Sequence, residues 1–158
     1  MKSKKWKFIS LCTAILLVAL CAIWKFNFNG TEATTLKEEA IKKFYSSYEK
    51  KDLKTYNDSV TDDLKTKSEE DETLRKAVYD DIESFEVLEI KELENPDLNF
   101  NGKTYDKENI AKFEVTYKVD FKENITSSEE GKVSTTKIIT RESKSAPWLV
   151  AGQSGHGL

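Results

Sequence analysis

Residues 112–122 read Lys-Phe-Glu-Val-Thr-Tyr-Lys-Val-Asp-Phe-Lys, an unbroken alternation of apolar and polar side chains. A period of two predicts a β-strand with one face buried and the other in water. The predicted buried face carries Phe113, Val115, Tyr117, Val119 and Phe121. This is the clearest strand in the chain, and the neighbouring segments are interpreted around it.

The rest of the second half of the chain also favours strands. Asn101-Gly102, within residues 98–105, is a strong signal for a two-residue hairpin turn. The adjacent pair Val87-Leu88 interrupts an alternating run and indicates a β-bulge. The other predicted strands are residues 85–93, 132–142 and 147–151, with a turn at 123–131 before the second of them. Together these segments predict an antiparallel meander.

Three helices are predicted before the strands. The first begins at a Thr35–Glu38 capping box, and the second runs from a cap at Asp52 to about Val60. The third covers about residues 69–84. Their apolar positions recur at helical spacing: Leu36, Ala40, Ile41, Phe44, Tyr45 and Tyr48 in the first helix, Leu53, Tyr56 and Val60 in the second, and Leu74, Ala77, Val78 and Ile82, with Phe85 just beyond, in the third.

Helices followed by an antiparallel meander predict an α+β fold, with about three helices packed on one face of a curved sheet. The chain also resembles the NTF2-like (cystatin-like, SnoaL-like) superfamily over about residues 35–151. The residues that carry the resemblance are Glu39-Ala40-Ile41-Lys42-Lys43-Phe44-Tyr45, Lys51-Asp52-Leu53, Tyr56, Val60, Asp63-Leu64 and the closing Pro147-Trp148-Leu149-Val150. This resemblance implies a cone-shaped cavity between the sheet and the helices.

Residues 8–24 form the only long apolar stretch of the chain. As a helix, these seventeen residues would span about 25 Å, just under the roughly 30 Å hydrocarbon thickness of a bilayer. Four lysines precede the stretch and one, Lys25, follows it at once, so the positive-inside rule places the N-terminus in the cytoplasm. The stretch predicts a single-pass anchor with the C-terminal domain outside the cell.

The residues that flank the apolar stretch and the weakness of its cleavage signals both favour a segment that is not removed from the chain. The residues Trp6, Trp24 and Lys25 are typical of membrane-interface anchors. Ala19-Leu20-Cys21 is a poor cleavage site, and a leucine precedes both cysteines where a lipobox needs a small residue. An uncleaved signal, a lipoprotein and a protein secreted after cleavage remain as alternatives.

The composition narrows the classes of partner. Of the 25 lysines and arginines, five lysines lie in residues 1–25, which leaves 20 against 28 acidic residues, a net charge of −8 for the exported part. An acidic surface with only two arginines argues against nucleic-acid binding. Both cysteines lie in the apolar stretch, so the exported domain has no disulfide, which is typical of bacterial surface proteins. The lysine-rich composition favours a Gram-positive source.

Candidate pocket-lining residues are aromatic rather than catalytic: Tyr45, Tyr48, Tyr56, Tyr117 and Trp148. Enzymes that the fold resembles place Asp, Tyr or His inside the cone, but Glu114 and Asp120 fall on the polar face of their strand, opposite Tyr117. No interior carboxylate suited to proton abstraction at neutral pH is visible. The sequence therefore predicts no catalytic residues.

Other candidate motifs are better explained by structure. His156, the single histidine, lies in a glycine-rich tail without other metal ligands nearby, and Ser154 lacks the Gly-x-Ser-x-Gly pattern. The acidic clusters at 69–72 and 80–81 lack calcium-loop spacing, and the first suits the N-terminus of a helix. No metal or cofactor is predicted.

The predicted organisation is a cytoplasmic tail (1–7), a transmembrane anchor or uncleaved signal (8–24), a linker (25–34), an NTF2-like extracytoplasmic domain (35–151) and a flexible tail (152–158). We expect a non-catalytic binding or assembly domain at the membrane. Its expected partner is another membrane or cell-surface protein or a small apolar ligand, with homo-oligomers possible by analogy. The alternatives are a scaffold subunit of a secretion or conjugation channel and an isomerase or hydratase acting in the cone.

Overall fold

The computed structural model describes residues 35–154 of the 158-residue chain. The predicted cytoplasmic tail, anchor and linker, with Trp6, Trp24 and Lys25, lie outside the described residues, as does the segment 155–158 with His156. Between residues 35 and 154 there is no helix of the length and hydropathy needed to span a membrane.

Three helices and six strands make up the described domain. The helices are α1 (residues 35–49), α2 (Leu53–Asn57) and α3 (Glu69–Asp81). The strands are β1 (Ile82–Leu93), β2 (Asn99–Phe100), β3 (Lys103–Thr104), β4 (Ile110–Phe121), β5 (Gly131–Thr140) and β6 (Leu149–Ser154). Single turns of 3₁₀-helix lie at Asp62–Leu64 and Lys107–Asn109.

Four of the strands form one antiparallel sheet in the order β1-β4-β5-β6. β2 and β3 form a separate two-stranded hairpin. The helices pack on this curved sheet, and their apolar side chains share one core with those of the sheet. The predicted α+β architecture is confirmed.

The alternation that predicted β4 is confirmed for its apolar face, whereas Thr116, predicted on the polar face, is also buried at 7% exposed. Phe113, Val115, Tyr117 and Val119 are completely buried, and Phe121 is 7% exposed. The intervening Glu114 and Lys118 are exposed. Successive strand residues face opposite sides of the sheet, so the sequence period determines which face enters the core. Thr116 is covered on the other face, where its hydroxyl lies 2.8 Å from that of Ser134 on β5.

Three register shifts bend the sheet. The register between β1 and β4 shifts between Val87 and Glu89, and the extra residue, Leu88, is 47% exposed. The bulge predicted from the adjacent Val87 and Leu88 is therefore confirmed. A second shift lies at the start of β1, between Ile82 and Ser84. A third lies in the pairing of β5 with β6: Ile138 pairs with Gly152 and Ile139 with Val150, so Ala151 is the extra residue on β6. Bulges increase the local twist of a strand, which accounts for curvature at these points.

The apolar stripe of α1 is largely as predicted. Ile41, Phe44, Tyr45 and Tyr48 are at most 4% exposed, and Ala40 packs against the core. Leu36 differs, because half of its surface is exposed. Thr35, predicted to be the N-cap, lies within the helix, and the residues before it lie outside the described part of the chain.

The helix α2 begins as predicted and ends earlier. The Asp52 carboxylate accepts a hydrogen bond from the Lys54 amide, 3.0 Å away, as an N-cap. The helix stops at Asn57, because the following residues extend to meet β6. The Val150 amide donates to the Ser59 carbonyl, and the Thr61 amide donates to the Val150 carbonyl, both at 2.9 Å.

The inner face of α3 agrees with the predicted one only in part: Ile82 is buried and Ala77 and Val78 are half-buried, but Leu74 is not. Ser68 and Asp71 form a capping box, and the acidic residues 69–72 occupy the first turn, as the sequence favoured. Leu74, predicted to be buried, is 62% exposed, whereas Tyr79 is 2% exposed. The helix ends at Asp81 rather than near residue 84, because Ile82 has extended backbone angles and begins β1.

The predicted hairpin turn is confirmed at Asn101 and Gly102, whose φ angles are 51° and 72°. The hairpin brings Phe100 against β6 at Gly152, where an added Cβ would lie 2.6 Å from the Cζ atom of the ring. The strand β6 itself continues through Ser154, three residues beyond the end predicted for the last strand. This extension places Gly152 and Gln153 beside the helices.

Candidate ligand-binding cavity

A cavity of about 350 Å³ lies where the three helices meet β5 and β6. Its wall includes Phe44 and Tyr48 from α1, Tyr56 from α2, Arg75 from α3 and Lys137 from β5. Leu64, Val78 and Val150 add apolar surface. The cavity therefore combines an aromatic wall with two basic side chains, and its volume is at the small end for ligand sites.

Arg75 is held in place by tyrosine hydroxyls. Its Nη1 atom donates to the Tyr48 hydroxyl at 3.1 Å, and its Nη2 atom donates to the Tyr56 hydroxyl at 2.9 Å. Its guanidinium carbon lies 4.1 Å from the centre of the Tyr56 ring. Within residues 35–154, no ion pair joins Arg75 to an Asp or Glu. A cation with neutral partners keeps most of its attraction for an anionic ligand.

The two tyrosines that hold Arg75 stay neutral at physiological pH. Burial raises the pKa of Tyr48 and of Tyr56, and the neighbouring Arg75 only partly offsets that effect. The Tyr56 hydroxyl donates its own proton to the Leu64 carbonyl at 3.2 Å. A phenol both accepts and donates, so the Tyr48 hydroxyl can accept from Arg75 and donate to a ligand.

Lys137 contributes an amine to the wall of the same cavity. The side chain is 1% exposed, and its Nζ atom donates to the Gln153 side-chain oxygen. Nζ lies 4.9 Å from the centre of the Phe44 ring and 5.5 Å from that of Tyr45. Burial, with a smaller contribution from the charge of Arg75, lowers the pKa of Lys137 to about 7. Its charged and neutral forms are therefore both populated near neutral pH.

The predicted pocket residues occupy three different places. Tyr48 and Tyr56 line the cavity. Tyr45 and Tyr117 lie in the aromatic core, with ring centres 5.4 Å apart and Phe85 packed against both. Trp148, 9% exposed, lies between the Lys37 ammonium, 5.8 Å from its ring centre, and the Arg141 guanidinium, 4.7 Å away.

Sequence reasoning missed the two basic residues of the cavity. Lys137 was detectable, because it lies on the same side of β5 as Val133, Thr135 and Ile139, at period-two spacing. A lysine in an inward-facing row is unusual enough to single out. Arg75 carried no comparable signal, since it lies outside the apolar positions from which the inner face of α3 was predicted.

A wider depression of about 590 Å³ lies on the other side of β6, beside the hairpin, and several of its charged side chains already have partners. Asp62 forms ion pairs with Lys65 and Lys67. The Arg141 guanidinium donates to the Asn109 side chain and to the carbonyls of Glu108 and Lys144. The cavity at Arg75 is the better candidate, because among the described residues the Arg75 guanidinium bonds to neutral hydroxyls and not to a carboxylate.

The acidic clusters have structural roles. Asp81, 7% exposed, accepts hydrogen bonds from the amides of Glu123 at 2.8 Å and Ile125 at 2.9 Å, and so ties the β4–β5 loop to α3. Within the described residues, no cluster of three or more His, Cys, Asp or Glu side chains could hold a metal ion.

Fold and cavity together define a class: an α+β domain with helices on a curved antiparallel sheet and a basic, aromatic cavity between them. Residues 38–154 match the family described as Domain of unknown function (DUF4829), and the chain belongs to that family. The matched residues span nearly the whole described domain. No curated protein and no solved structure shows a significant match to the chain.

Proposed function

We propose that this protein is a non-catalytic binding domain tethered at the outer face of the cell membrane. Its ligand is a small organic carboxylate with an aromatic or apolar body, held in the cavity between the helices and β5–β6. The observation that carries the proposal is the guanidinium of Arg75, held by neutral hydroxyls at the wall of an aromatic cavity.

Recognition of a carboxylate follows from the geometry of arginine. A guanidinium presents planar donors that match the two oxygens of a carboxylate, and such charge-assisted bonds are stronger than neutral ones. The aromatic and aliphatic wall supplies Phe44, Leu64 and Val78 for an apolar body. The ligand thus differs from the small apolar molecule expected from sequence, because it carries a negative charge.

The cone of the NTF2-like superfamily remains part of this proposal. Three helices on a curved sheet, with a cavity between the two layers, support it. The isomerase alternative needs an interior carboxylate. Of the two acids considered on β4, Glu114 is exposed, and Asp120 lies on the polar face bound to Ser84 and Lys118.

Binding of benzoate to the full-length protein in detergent, measured by isothermal titration calorimetry, tests the cavity. We expect benzoate to bind, and benzyl alcohol, its uncharged counterpart, to bind about tenfold more weakly or not at all. Arg75→Met should abolish benzoate binding. Arg141→Met is the matched control, because Arg141 contacts Trp148 outside this cavity. Circular dichroism would check that each variant is folded.

Two results would overturn the cavity proposal. One is the absence of benzoate binding to folded wild-type protein at millimolar concentration. The other is equal loss of binding in Arg75→Met and Arg141→Met, which would place the anion elsewhere on the surface.

The tether is tested by fractionating cells of a Gram-positive host. Full-length protein should sediment with membranes, resist an alkaline carbonate wash and be digested by protease added outside intact cells. Cys21→Ser should behave identically if residues 8–24 anchor the chain without lipid. Release of Cys21→Ser from the membrane would instead support the lipoprotein alternative, and a shortened form in the medium would support secretion.

A further inference from the structure

We infer that the cavity holds its ligand covalently: Lys137 forms a reversible imine with the aldehyde or ketone group of a carboxylate whose charge pairs with Arg75. The inference rests on the proposed anion site and adds a second reactive group to the ligand. It identifies the ligand class as oxo-carboxylates.

The geometry places an amine where a bound carbonyl compound can meet it. Lys137 is 1% exposed and still lines the cavity, so the cavity is the route to its side chain. The rings of Phe44 and Tyr45 flank Nζ and restrict water around it. The Gln153 side-chain oxygen accepts a hydrogen bond from Nζ and so orients the amine.

Its surroundings also favour the neutral, nucleophilic form of the amine. Among the described residues, the titratable groups that face Lys137 are Tyr45 on α1, whose pKa burial raises, and Arg75 on α3, whose charge lowers the pKa of Lys137. With a pKa of about 7, roughly half of Lys137 is neutral at pH 7. An ordinary lysine has only about one neutral molecule in three thousand at that pH. Burial and a nearby cation are a known route to imine-forming lysines.

Arg75 then has two effects on the same reaction. Its positive charge destabilises the ammonium form of Lys137, and its donors hold the carboxylate end of the ligand. A ligand with both groups is retained by two contacts, whereas a simple aldehyde has only one. Orientation by the anion contact raises the effective concentration of the carbonyl at the amine.

The step balances without an outside reactant. The nitrogen lone pair of neutral Lys137 attacks the carbonyl carbon, and the π pair moves to the oxygen. A proton passes from nitrogen to that oxygen and gives a carbinolamine. Loss of the hydroxyl with the second nitrogen proton releases one water molecule and leaves the carbon–nitrogen double bond. No oxidation occurs, and addition of water reverses the step.

The test traps the imine on the full-length protein. Wild-type protein is incubated with phenylglyoxylate and sodium cyanoborohydride, and the intact mass is measured. One adduct should add the mass of phenylglyoxylate less one oxygen. Peptide mapping should place it on Lys137 at about ten times or more the level on Lys132, an exposed lysine of the same strand. Excess benzoate should suppress the adduct by occupying Arg75.

Variants complete the test. Lys137→Arg should remove the adduct and Lys132→Arg should leave it unchanged, while Arg75→Met should reduce it. Benzoate binding without an adduct on Lys137 of the wild-type protein would overturn the proposal of an imine, and the proposal of an anion site at Arg75 would still hold. Equal labelling of Lys137 by benzaldehyde, insensitive to benzoate, would overturn the oxo-carboxylate assignment. The absence of both benzoate binding and adduct would overturn both proposals.

Discussion

The Nζ atom of Lys137 on β5 lies 4.9 Å from the centre of the Phe44 ring on α1. This contact joins the inner face of the sheet to the first helix through a group that can carry charge. An ammonium over an aromatic face is stabilised by the ring, but burial from water opposes the charge. Burial, aided by the charge of Arg75, lowers the pKa of Lys137.

Lys137 should make the stability of the protein depend on pH. Its folded pKa of about 7 lies below the ordinary value of 10.5, so above pH 7 the unfolded chain holds more protons at this residue. The free energy of unfolding should therefore rise by roughly 2 kcal/mol between pH 7 and 9. Urea unfolding of wild type and Lys137→Met at both pH values measures the difference.

The variant Lys137→Met should lose this rise, and Lys132→Met, exposed on the same strand, should keep it. Above pH 10 the sign reverses, because the pKa values of Tyr45 and Tyr48 are raised by burial. Their stabilising contribution is present below the ordinary tyrosine pKa and is lost above it. A stability that does not change between pH 7 and 9 in the wild type would contradict the prediction.

Removing the Tyr45 hydroxyl should stabilise the protein. This buried oxygen has no hydrogen-bond partner among the described residues, and an unsatisfied buried polar group costs about 1–3 kcal/mol. We expect Tyr45→Phe to raise the free energy of unfolding by about 1 kcal/mol. Tyr48→Phe, which loses the bond from Arg75, should lower it by about 1–2 kcal/mol. Similar losses in the two variants, measured by urea unfolding, would refute the prediction.

Asp81→Asn should weaken the hydrogen-bonded contact between α3 and the β4–β5 loop and so destabilise the protein. The Asp81 carboxylate accepts from the backbone amide of Glu123 with one oxygen and from that of Ile125 with the other. An asparagine side chain has only one acceptor oxygen and would lose one of these bonds. We expect a lower melting temperature for Asp81→Asn and little change for Asp80→Asn, whose side chain is exposed. Differential scanning calorimetry at neutral pH measures both variants.

The stabilisation that the Asp81 carboxylate provides should also depend on pH. Burial alone would raise the pKa of its carboxyl, but the backbone amides of residues 123–125 and the charge of Lys122 hold it below the usual range. Its stabilising contribution is therefore present above the ordinary aspartate pKa and lost as the pH falls through the folded value. Wild type and Asp81→Asn should converge in strong acid. A melting-temperature gap that persists there would argue against this role of the charge.

Gly152→Ala should destabilise the protein through Phe100 alone. The added Cβ would lie 2.6 Å from the Cζ atom of the Phe100 ring, so the ring and its hairpin must move. Such overpacking costs about 1–3 kcal/mol. In a Phe100→Ala background the same substitution should cost close to nothing. A double-mutant cycle of unfolding free energies measures this coupling, and additive effects of the two substitutions would contradict it.

The predictions that held depend on local chemistry. The hairpin at Asn101-Gly102 follows from residues that tolerate positive φ angles. The cap at Asp52 needs only a carboxylate two residues from an amide. The bulge at Leu88 follows from two adjacent apolar residues in an alternating strand. In each case the residues that decide the structure are neighbours in sequence.

The choice of the buried face of α3 does not follow from local sequence. Apolar residues occur on more than one side of the helix, so its sequence supports burial of Leu74 or of Tyr79. Tyr79 is buried because its hydroxyl reaches Ser47 on α1, at 3.2 Å. That contact exists only once α1 and α3 have packed, and it turns Leu74 outward and Arg75 toward Tyr48 and Tyr56.

The sequence by itself determined the strands, the main turns, the α+β class and the buried rows of α1 and β4, because side-chain period and backbone preference act over a few residues. Only the tertiary structure decided the candidate site. Arg75 and Lys137 are 62 positions apart, and they share a cavity because β5 lies between β4 and β6 while α3 crosses beside α1 and α2. The lowered pKa of Lys137 likewise requires burial and a neighbouring cation, which no short stretch of sequence supplies.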